Sequence, residues 1–482
     1  MVTPGTRLAA LALILTATAA IAGCSATETT SPSPSVLDGS PTPGPVRLLI
    51  DTDLGADDIV AITSLLRNPA VDVVGITVAG TGEVHCSSGA PRVRALVALL
   101  AEDSIPVACG RPSPLGPAQP FPDAWRAGAD AGYGLQLAAP AAPTGAIAAD
   151  ALILQLAVAS DRPLTILTIG PLTNLAVAAA ADPDLPSRID RVVSMVGAVD
   201  APGNVAPPED DSRSATAEWN AHADPTALSR VLDASFAVTV VPLDATNSVP
   251  MTYELIDDLG TDHTAAPADL VFELWSRNPF LVETGTYLWD TLAAVSVVHP
   301  EVLTTRPATI QVIEGDGLDG GQVVEGPAGR SVVVATAADE PAFREHLFEA
   351  LRLGDPRVDA FAPVTTITVD ASPGRCTASL TPELASAGLL ALKASVGGTG
   401  EGLAVVFGLG DLSWPEIVAF AAAPDFEHPP PLVEIASVYF GADARTGTAY
   451  ADAGPGTIGI ACVSGDFEAP TIVLAGPFEL KP

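Results

Sequence analysis

An α/β fold, with a mostly parallel open twisted sheet flanked by helices and a small β-rich domain after it, is what this sequence predicts. Three observations carry that expectation. From residue 46 to about 360, short apolar runs without strict alternation take turns with Ala/Leu-rich stretches of helical length, as buried parallel strands and their crossover helices do. After Pro363 the texture changes: Thr alternates with apolar residues, and Gly and Pro punctuate the runs, as in a small antiparallel sandwich. Finally, polar clusters gather just after the strand-like runs of the first part, at the end of such sheets where ligands bind.

In chain order, residues 1–24 stand outside the fold. Arg7 precedes an apolar run, Leu8 to Ala22, that is short for a membrane span and reads as a secretory signal. It ends Ile21-Ala22-Gly23-Cys24, which resembles the bacterial lipobox; that resemblance implies a lipidated Cys24 holding the chain at the outer face of the cytoplasmic membrane. Residues 25–45, rich in Ser, Thr and Pro, read as a tether. An oxidising address changes how the other cysteines read. Cys86, Cys109, Cys376 and Cys462 are even in number, and Cys86–Cys109 and Cys376–Cys462 are the pairings that stay within the two expected domains, 46–360 and 364–482. No Cys/His spacing suggests zinc. The 22 basic against 57 acidic residues, a formal net charge of -35, argue against nucleic acid as a partner and for a well-solvated acidic surface; self-association into a homo-oligomer stays open.

The first strand, Val46 to Ile50, runs into Asp51-Thr52-Asp53-Leu54-Gly55-Ala56-Asp57-Asp58, and a helical segment, Ile59 to Leu66, follows. Gly55 loosens the turn and Asp57 or Asp58 can cap the helix. Four carboxylates in one such turn repel one another unless a cation sits among them, and all-oxygen donors favour Ca²⁺ or Mg²⁺. A second strand, Val71 to Val78, leads to Gly80-Thr81-Gly82-Glu83 and His85; a helix spans Arg92 to Leu100. Leu164 to Ile169 is a strand ending in Gly170-Pro171-Leu172-Thr173-Asn174. The strand Arg191 to Val196 is followed by Gly203-Asn204, an acidic stretch with Glu209, Asp210 and Asp211, and then Glu218-Trp219-Asn220, where an extended backbone would put Glu218 and Asn220 on one face. Ala237 to Val241 precedes Leu243-Asp244-Ala245-Thr246-Asn247, and Tyr287-Leu288-Trp289-Asp290 opens a helix, Thr291 to Val298. In the second domain one helix is expected near Pro382 to Lys393, with strands such as Val364 to Asp370, Leu403 to Phe407 and Leu432 to Phe440. Nothing there gathers catalytic side chains, and a spacing, adhesive or carbohydrate-contacting role is all that its sequence suggests.

Taken together, over residues 46–360, the chain resembles the inosine–uridine-preferring nucleoside hydrolase family. The motifs that carry the resemblance are Asp51-Thr52-Asp53-Leu54-Gly55-Ala56-Asp57-Asp58, Gly170-Pro171-Leu172-Thr173-Asn174, Gly203-Asn204, Glu218-Trp219-Asn220 and Trp289-Asp290, in family order. The resemblance implies Ca²⁺-dependent hydrolysis of the N-glycosidic bond of ribonucleosides. It implies Asp53, Asp58, Asp290 and the carbonyl of Ile169 as metal ligands, Asp53 as the base that takes a proton from water, and Asp57 as the residue that holds the ribose 2′-hydroxyl. Asn204, Glu218 and Asn220 match the grip on the other hydroxyls, and Asp51 a support behind the ligands. These residue types suit the reaction, because cleavage at the anomeric carbon builds positive charge on the sugar, which carboxylates and amide oxygens stabilise.

The chain departs from the family pattern in two places. Many members carry His before the last metal-binding Asp; here Trp289 stands there, as in a purine-preferring branch that also has an earlier Trp, matched by Trp125. Indoles stacked on a purine favour its protonated ring, which would replace an acid for the leaving base. Gly197-Ala198-Val199-Asp200 and the Asp244–Asn247 segment also look like that branch. The second departure follows the second strand, where Thr81 or Glu83 stands in for the usual Asn or Asp, and the sequence does not choose between them. Two rivals remain at this level: a non-catalytic nucleoside-binding lipoprotein, and a haloacid-dehalogenase-type phosphatase using Asp51 and Asp53, which Gly55 disfavours.

Overall fold

The computed structural model describes residues 44–482 except 101–104, 118, 139, 141–146, 160, 207–214, 359, 361–364, 373, 382–386, 398–401, 425–429, 441–445 and 465–470. The lipobox, the lipidation site Cys24, the tether up to residue 43 and the acidic residues Glu209, Asp210 and Asp211 lie outside the described residues.

Nine strands make the main sheet: β1 (Val46–Thr52), β2 (Val71–Val78), β3 (Val107–Cys109), β4 (Leu164–Ile169), β5 (Ile189–Ser194), β6 (Val238–Val240), β7 (Leu303–Val312), β8 (Val323–Glu325) and β9 (Arg330–Ala338). Their order is β3-β2-β1-β4-β5-β6-β9-β7-β8; every pair is parallel except those that β7 makes with β8 and β9. The sequence places β1, β2, β4, β5 and β6 within about two residues and does not name β3, β7, β8 or β9; β5 ends at Ser194 and leaves Met195 and Val196 beyond the ladder.

Full burial explains why β1 reads as a continuous apolar run. Leu48 and Ile50 enter one core with the helices Ala56–Leu66 and Trp289–Val298, while Leu49 enters another with the helices Ala149–Val158 and Thr173–Ala181. Each face of the strand meets apolar cover, so no position calls for a polar residue until the strand ends. From β1 the chain moves outward to β2 and β3, then returns to lay β4 against the other side of β1. The crevice beyond the carboxyl ends of β1 and β4 is therefore the sheet's switch point, the place where open α/β sheets hold ligands.

The C-terminal part stacks two four-stranded sheets. One, β11-β10-β12-β15, is built from β10 (Thr365–Ser372), β11 (Arg375–Thr381), β12 (Gly388–Val396) and β15 (Thr446–Ala453). The other, β14-β13-β16-β17, uses β13 (Gly402–Gly408), β14 (Val433–Phe440), β16 (Gly456–Ser464) and β17 (Thr471–Leu480). Pairing is antiparallel except between β10 and β12, which run parallel. Alternate residues such as Ile367, Val369, Leu390, Leu392, Val406, Phe440 and Ile460 fill the space between the sheets.

The helix expected over Pro382 to Lys393 is corrected: Gly388–Val396 is a strand, and the helix of this region is Trp414–Ala422. Leu and Ala favour a helix locally, but burial at Leu390, Leu392 and Ala394 has a period of two, and the β10 and β15 ladders take the segment's backbone groups. On its other face Ala391 joins the core of the α/β part. Residues 44–482 form one compact unit, and both expected disulfides are formed within it, Cys86–Cys109 and Cys376–Cys462, with Cα atoms 5.8 and 5.6 Å apart. No helix among the described residues is long and apolar enough to cross a membrane.

Candidate active site

The turn after β1 is held from both neighbouring strands. Thr77 lies opposite Asp51 in the β1–β2 register and donates from its hydroxyl to Asp51 Oδ1 at 2.7 Å; Asn174 Nδ2, from the turn after β4, donates to the same oxygen at 2.7 Å. Asp51 is buried, and burial pushes its carboxyl up to about 7 although both hydrogen bonds favour the anion. Leu54 then takes φ +59°, a left-handed conformation that costs a branched side chain about 1–3 kcal/mol. Asp53, Asp57 and Asp58, on either side of this kink, all line one cavity. Two glycines let the neighbouring turns close in: a Cβ at Gly82 would overlap Asp53, and one at Gly170 would lie 2.8 Å from the Asp53 nitrogen. The second contact brings the end of β4 beside Asp53, with Ile169 paired to Thr52.

Asp290, at the first turn of the helix Trp289–Val298, completes the cluster from more than two hundred residues away. Its N–H donates to Asp57 Oδ2 at 2.9 Å, and the Thr291 hydroxyl donates to the Asp57 carbonyl at 3.1 Å. One carboxylate oxygen each from Asp57, Asp58 and Asp290 lies within 4.8 Å of the other two. Asp53 stands on the same cavity wall, its Oδ2 accepting from the Glu83 N–H at 3.0 Å. Asp58 accepts from the Thr52 hydroxyl and from the Gly55 N–H.

Burial raises every member, and repulsion from neighbouring carboxylates adds to it at Asp53, Asp58 and Asp290. Burial lifts Asp58 to about 7, with the Asp57 charge adding to it; burial lifts Asp57 to about 6 against the hydrogen bonds it accepts; Asp53 and Asp290 go well above the ordinary carboxylate range for the same reasons. Among the described residues none of the four forms an ion pair with a basic side chain, and Asp290 Oδ1 is buried without a hydrogen-bond partner. A buried carboxylate oxygen without a partner, on a member of an all-oxygen cluster, fits a hard divalent cation.

The cavity has a volume of about 380 Å³. Aromatic side chains also line it. Phe121, Trp125 and Trp219 form one group, with Phe121 stacked on Trp219 at 5.0 Å and Trp125 tilted against Trp219 at 5.4 Å. Trp289, which donates its indole N–H to Asn247 Oδ1 at 2.9 Å, and Phe280 also line it. Asn204, Glu218 and Asn220 supply amide and carboxylate groups. Glu218 caps its own short helix, accepting from the N–H groups of Asn220 and Ala221, and it also accepts from Gly197 at 2.8 Å; burial raises its carboxyl against these bonds. Asn220 Nδ2 donates to the Met195 carbonyl, and Asn204 Oδ1 accepts from the Trp219 N–H.

The structure distinguishes the two candidates after β2. Glu83 lines the cavity, accepts a hydrogen bond from the Tyr133 hydroxyl at 3.0 Å, and is pushed up to about 8 by burial. Thr81 does not line it; its hydroxyl lies 2.9 Å from that of Thr173, which in turn donates to Asp224. Asp244 holds the segment after β5 by accepting from the N–H groups of Val199, Asp200 and Ala201. His85 pairs with Asp130 at the surface, and His222 bonds the Gly320 carbonyl while packing its edge on Trp219. Sequence reasoning gave no role to Tyr133, Phe121, Trp219 or Phe280. Tyr133 had one visible signal, its place between Gly132 and Gly134; all three have positive φ.

The family model described as inosine-uridine preferring nucleoside hydrolase matches residues 48–345. The chain is 30% identical over 276 residues to a probable uridine nucleosidase of Oryza sativa subsp. japonica, covering 55% of this chain and 78% of that one. It is 30% identical over 286 residues to the pyrimidine-specific ribonucleoside hydrolase RihA of Shewanella woodyi, covering 58% and 88%. Among solved structures, the inosine-uridine preferring nucleoside hydrolase of Bacillus anthracis superposes with a TM-score of 0.55 at 25% identity, over 64% of this chain and 99% of that one.

Proposed function

The chain belongs to the inosine-uridine preferring nucleoside hydrolase family and is a ribonucleoside N-glycosyl hydrolase, and on that footing we propose that it is calcium-dependent and prefers purine ribonucleosides. The observation that carries this reading is the convergence of Asp53, Asp57 and Asp58 with the distant Asp290 in one cavity that Trp125, Trp219 and Trp289 also line. Asp58, Asp290, Asp53 and the carbonyl of Ile169 would hold the ion. Bound there, calcium supplies positive charge that acidifies a water and gathers sugar hydroxyls.

The protein's own groups do the rest. The water oxygen adds to the anomeric carbon as the carbon–nitrogen bond breaks; one water proton passes to the Asp53 carboxylate, and the bonding pair leaves with the base. Asp57 accepts from the ribose 2′-hydroxyl, while Asn204, Glu218, Asn220 and Glu83 take the other hydroxyls. Their carboxylate and amide oxygens oppose the positive charge that builds on the sugar. A 2′-deoxyribonucleoside would leave Asp57 without its partner, which a site built for hydroxyls penalises strongly.

Trp289 and Trp125 bear on the leaving base. Their faces favour a protonated, electron-poor purine over the neutral ring, so stacking takes the place of a side-chain acid. The same reading anchors the enzyme to the outer face of the cytoplasmic membrane through a lipidated Cys24. A panel of ribonucleosides and deoxyribonucleosides assayed for free base, with and without a calcium chelator, tests the whole. Inosine or guanosine turnover that stops with chelator supports it; faster uridine cleavage, the activity named in several relatives, overturns the purine preference; tight binding without free base leaves a transport protein instead.

A further inference from the structure

The far end of the helix Trp289–Val298 carries a second cluster that hydrolysis does not use. His299 caps this helix, its N–H bonded to the Val295 carbonyl at 2.9 Å, and Glu301 follows in the short turn Pro300–Val302. The helix Glu340–Leu351 packs alongside and contributes His346 and Glu349. The imidazole rings of His299 and His346 lie face to face, 3.6 Å between centroids and 8° between planes. Glu301 Oε1 is 3.0 Å from His299 Nδ1 and 3.9 Å from His346 Nε2, and one donor atom from each of the three residues lies within 4.8 Å of the other two. His346 Nδ1 is 3.3 Å from Glu349 Oε2.

We propose that His299, Glu301 and His346 bind a divalent transition-metal ion of the zinc, nickel and copper class, at a site separate from the carboxylate cluster at the opposite end of the same helix. Two imidazoles and a carboxylate are the donors that such ions take, and that calcium does not select. A tetrahedral ion with bonds of ~2.0–2.1 Å spaces its ligand atoms about 3.3–3.4 Å apart. The separations of 3.0 and 3.9 Å straddle that value; the stacked rings hold their lone pairs in parallel planes, so one imidazole turns out of the stack to close the set around an ion.

The surroundings favour a cation as well. Glu349 offers an acceptor to His346 Nδ1, which leaves the Nε2 lone pair directed at the cluster, the carboxylate–histidine arrangement that orients metal-binding imidazoles. His299 sits at the C-terminal, negative end of its helix dipole. The side chains are 30%, 64% and 22% exposed in the order His299, Glu301, His346, so an ion can enter and water can fill its remaining positions. Nine residues of helix put about 13 Å between this cluster and Asp290. An ion here would also tie the helix bearing Asp290 to Glu340–Leu351, which fixes the far end of that helix.

Calorimetric titration of the tag-free, calcium-loaded full chain with zinc chloride, paired with electron paramagnetic resonance after one equivalent of copper(II), tests the site. The expected result is one equivalent bound, copper spectra with splitting from two imidazole nitrogens, and loss of both in a His299→Gln/His346→Gln variant. Glu349→Gln should weaken zinc about tenfold, and Asp290→Asn should leave this equivalent in place. No zinc uptake, or uptake and nitrogen splitting unchanged in the double His variant, overturns the proposal. Circular dichroism and unchanged nucleoside turnover in the double variant confirm that it is folded.

Discussion

The α/β part and the β-sandwich bury their interiors by different rules. Among the described residues the buried charged side chains all precede residue 358, whereas from Thr365 onward the buried polar residues are Thr365 and Thr448. Some of the buried charges are matched. Arg357 meets Asp269 and Glu273, and Arg47 is matched in part, its Nη2 donating to the Leu156 carbonyl while its Nη1 has no partner. Asp224 accepts from Leu115, Thr173 and Ala227. The cluster of Asp53, Asp57, Asp58 and Asp290 also accepts hydrogen bonds, but it packs four carboxylates together with no basic partner among the described residues, and burying charge without a counter-charge is among the most destabilising things a fold can do. The difference teaches where charge-driven chemistry gathers: the crevice beyond β1 and β4 carries a repulsion that a bound cation relieves, and the described interior of the sandwich carries no such charge.

The largest effect expected from this contrast separates activity from stability. Asp53→Ala should lower kcat/KM at least about a thousandfold, the scale of a lost general base together with a lost ligand. The same change should leave the chelator-treated protein at least as heat-stable as the wild type at pH 8, because it removes one of four mutually repelling charges. A variant that loses activity only because its Tm collapses would erase the distinction between the two parts.

Trp289→Ala sharpens the reading of the aromatic wall. Inosine turnover should fall about 10–100-fold while p-nitrophenyl riboside, whose leaving group needs no protonation, changes less than about threefold. Equal losses on both substrates would make Trp289 a packing residue.

The pH dependence follows from the raised carboxyls. Asp51 and Asp58 at about 7 and Asp57 at about 6 lie above an unfolded value of about 4. The folded state therefore binds more protons than the unfolded state between those limits. The stability these groups contribute is fully present below about pH 4 and is lost as pH rises through 6–7. A divalent cation binds the ionised form and reverses that loss. Added calcium should thus raise Tm far more at pH 8 than at pH 5, by the equivalent of about 4 kcal/mol at a thousandfold excess over Kd. An Asp58→Asn variant should show a smaller difference. Scanning calorimetry at the two pH values reads it directly, and a calcium increment larger at pH 5 would reverse the sign and reject the cluster as a cation site.

Legibility in the sequence followed the same division. The inner strands β1, β2, β4, β5 and β6 could be placed because burial on both faces leaves an apolar run, whereas the more exposed β7 and β9 leave none; Asp51 through Asp58 stood out because four acids in one turn repel one another. Asp290 could be joined to them only through the family resemblance, since no local pattern reveals a contact across more than two hundred residues. Tyr133, Phe121 and Trp219 escaped because an aromatic lining a cavity looks the same in sequence as one filling a core. His299 and His346 escaped for a related reason: metal-ligand spacing is readable within one element, whereas these two lie on different helices. In the sandwich, Gly388–Val396 misled because its Leu and Ala content favours a helix and only the partner strands decide otherwise.

The smallest effect concerns the seam between the two parts. Asp257, on the helix Tyr253–Gly260, accepts from Thr448 at 2.6 Å and from the Tyr450 hydroxyl at 2.7 Å, and Lys393 Nζ lies 3.0 Å away. Tyr450 is buried, and burial with the adjacent Asp257 charge holds its hydroxyl in the protonated, donating form. Asp257→Ala strands that donor, which should lower stability by about 1–3 kcal/mol, read as a shift of the denaturation midpoint. The lysine adds little, because its head is half in water. Since none of Asp257, Lys393, Thr448 and Tyr450 lines the cavity, kcat should stay within about twofold of the wild type. A tenfold fall in kcat with an unchanged midpoint would mean that the sandwich, through this helix, sets the geometry of the cavity, and the two parts would have to be treated as one catalytic body.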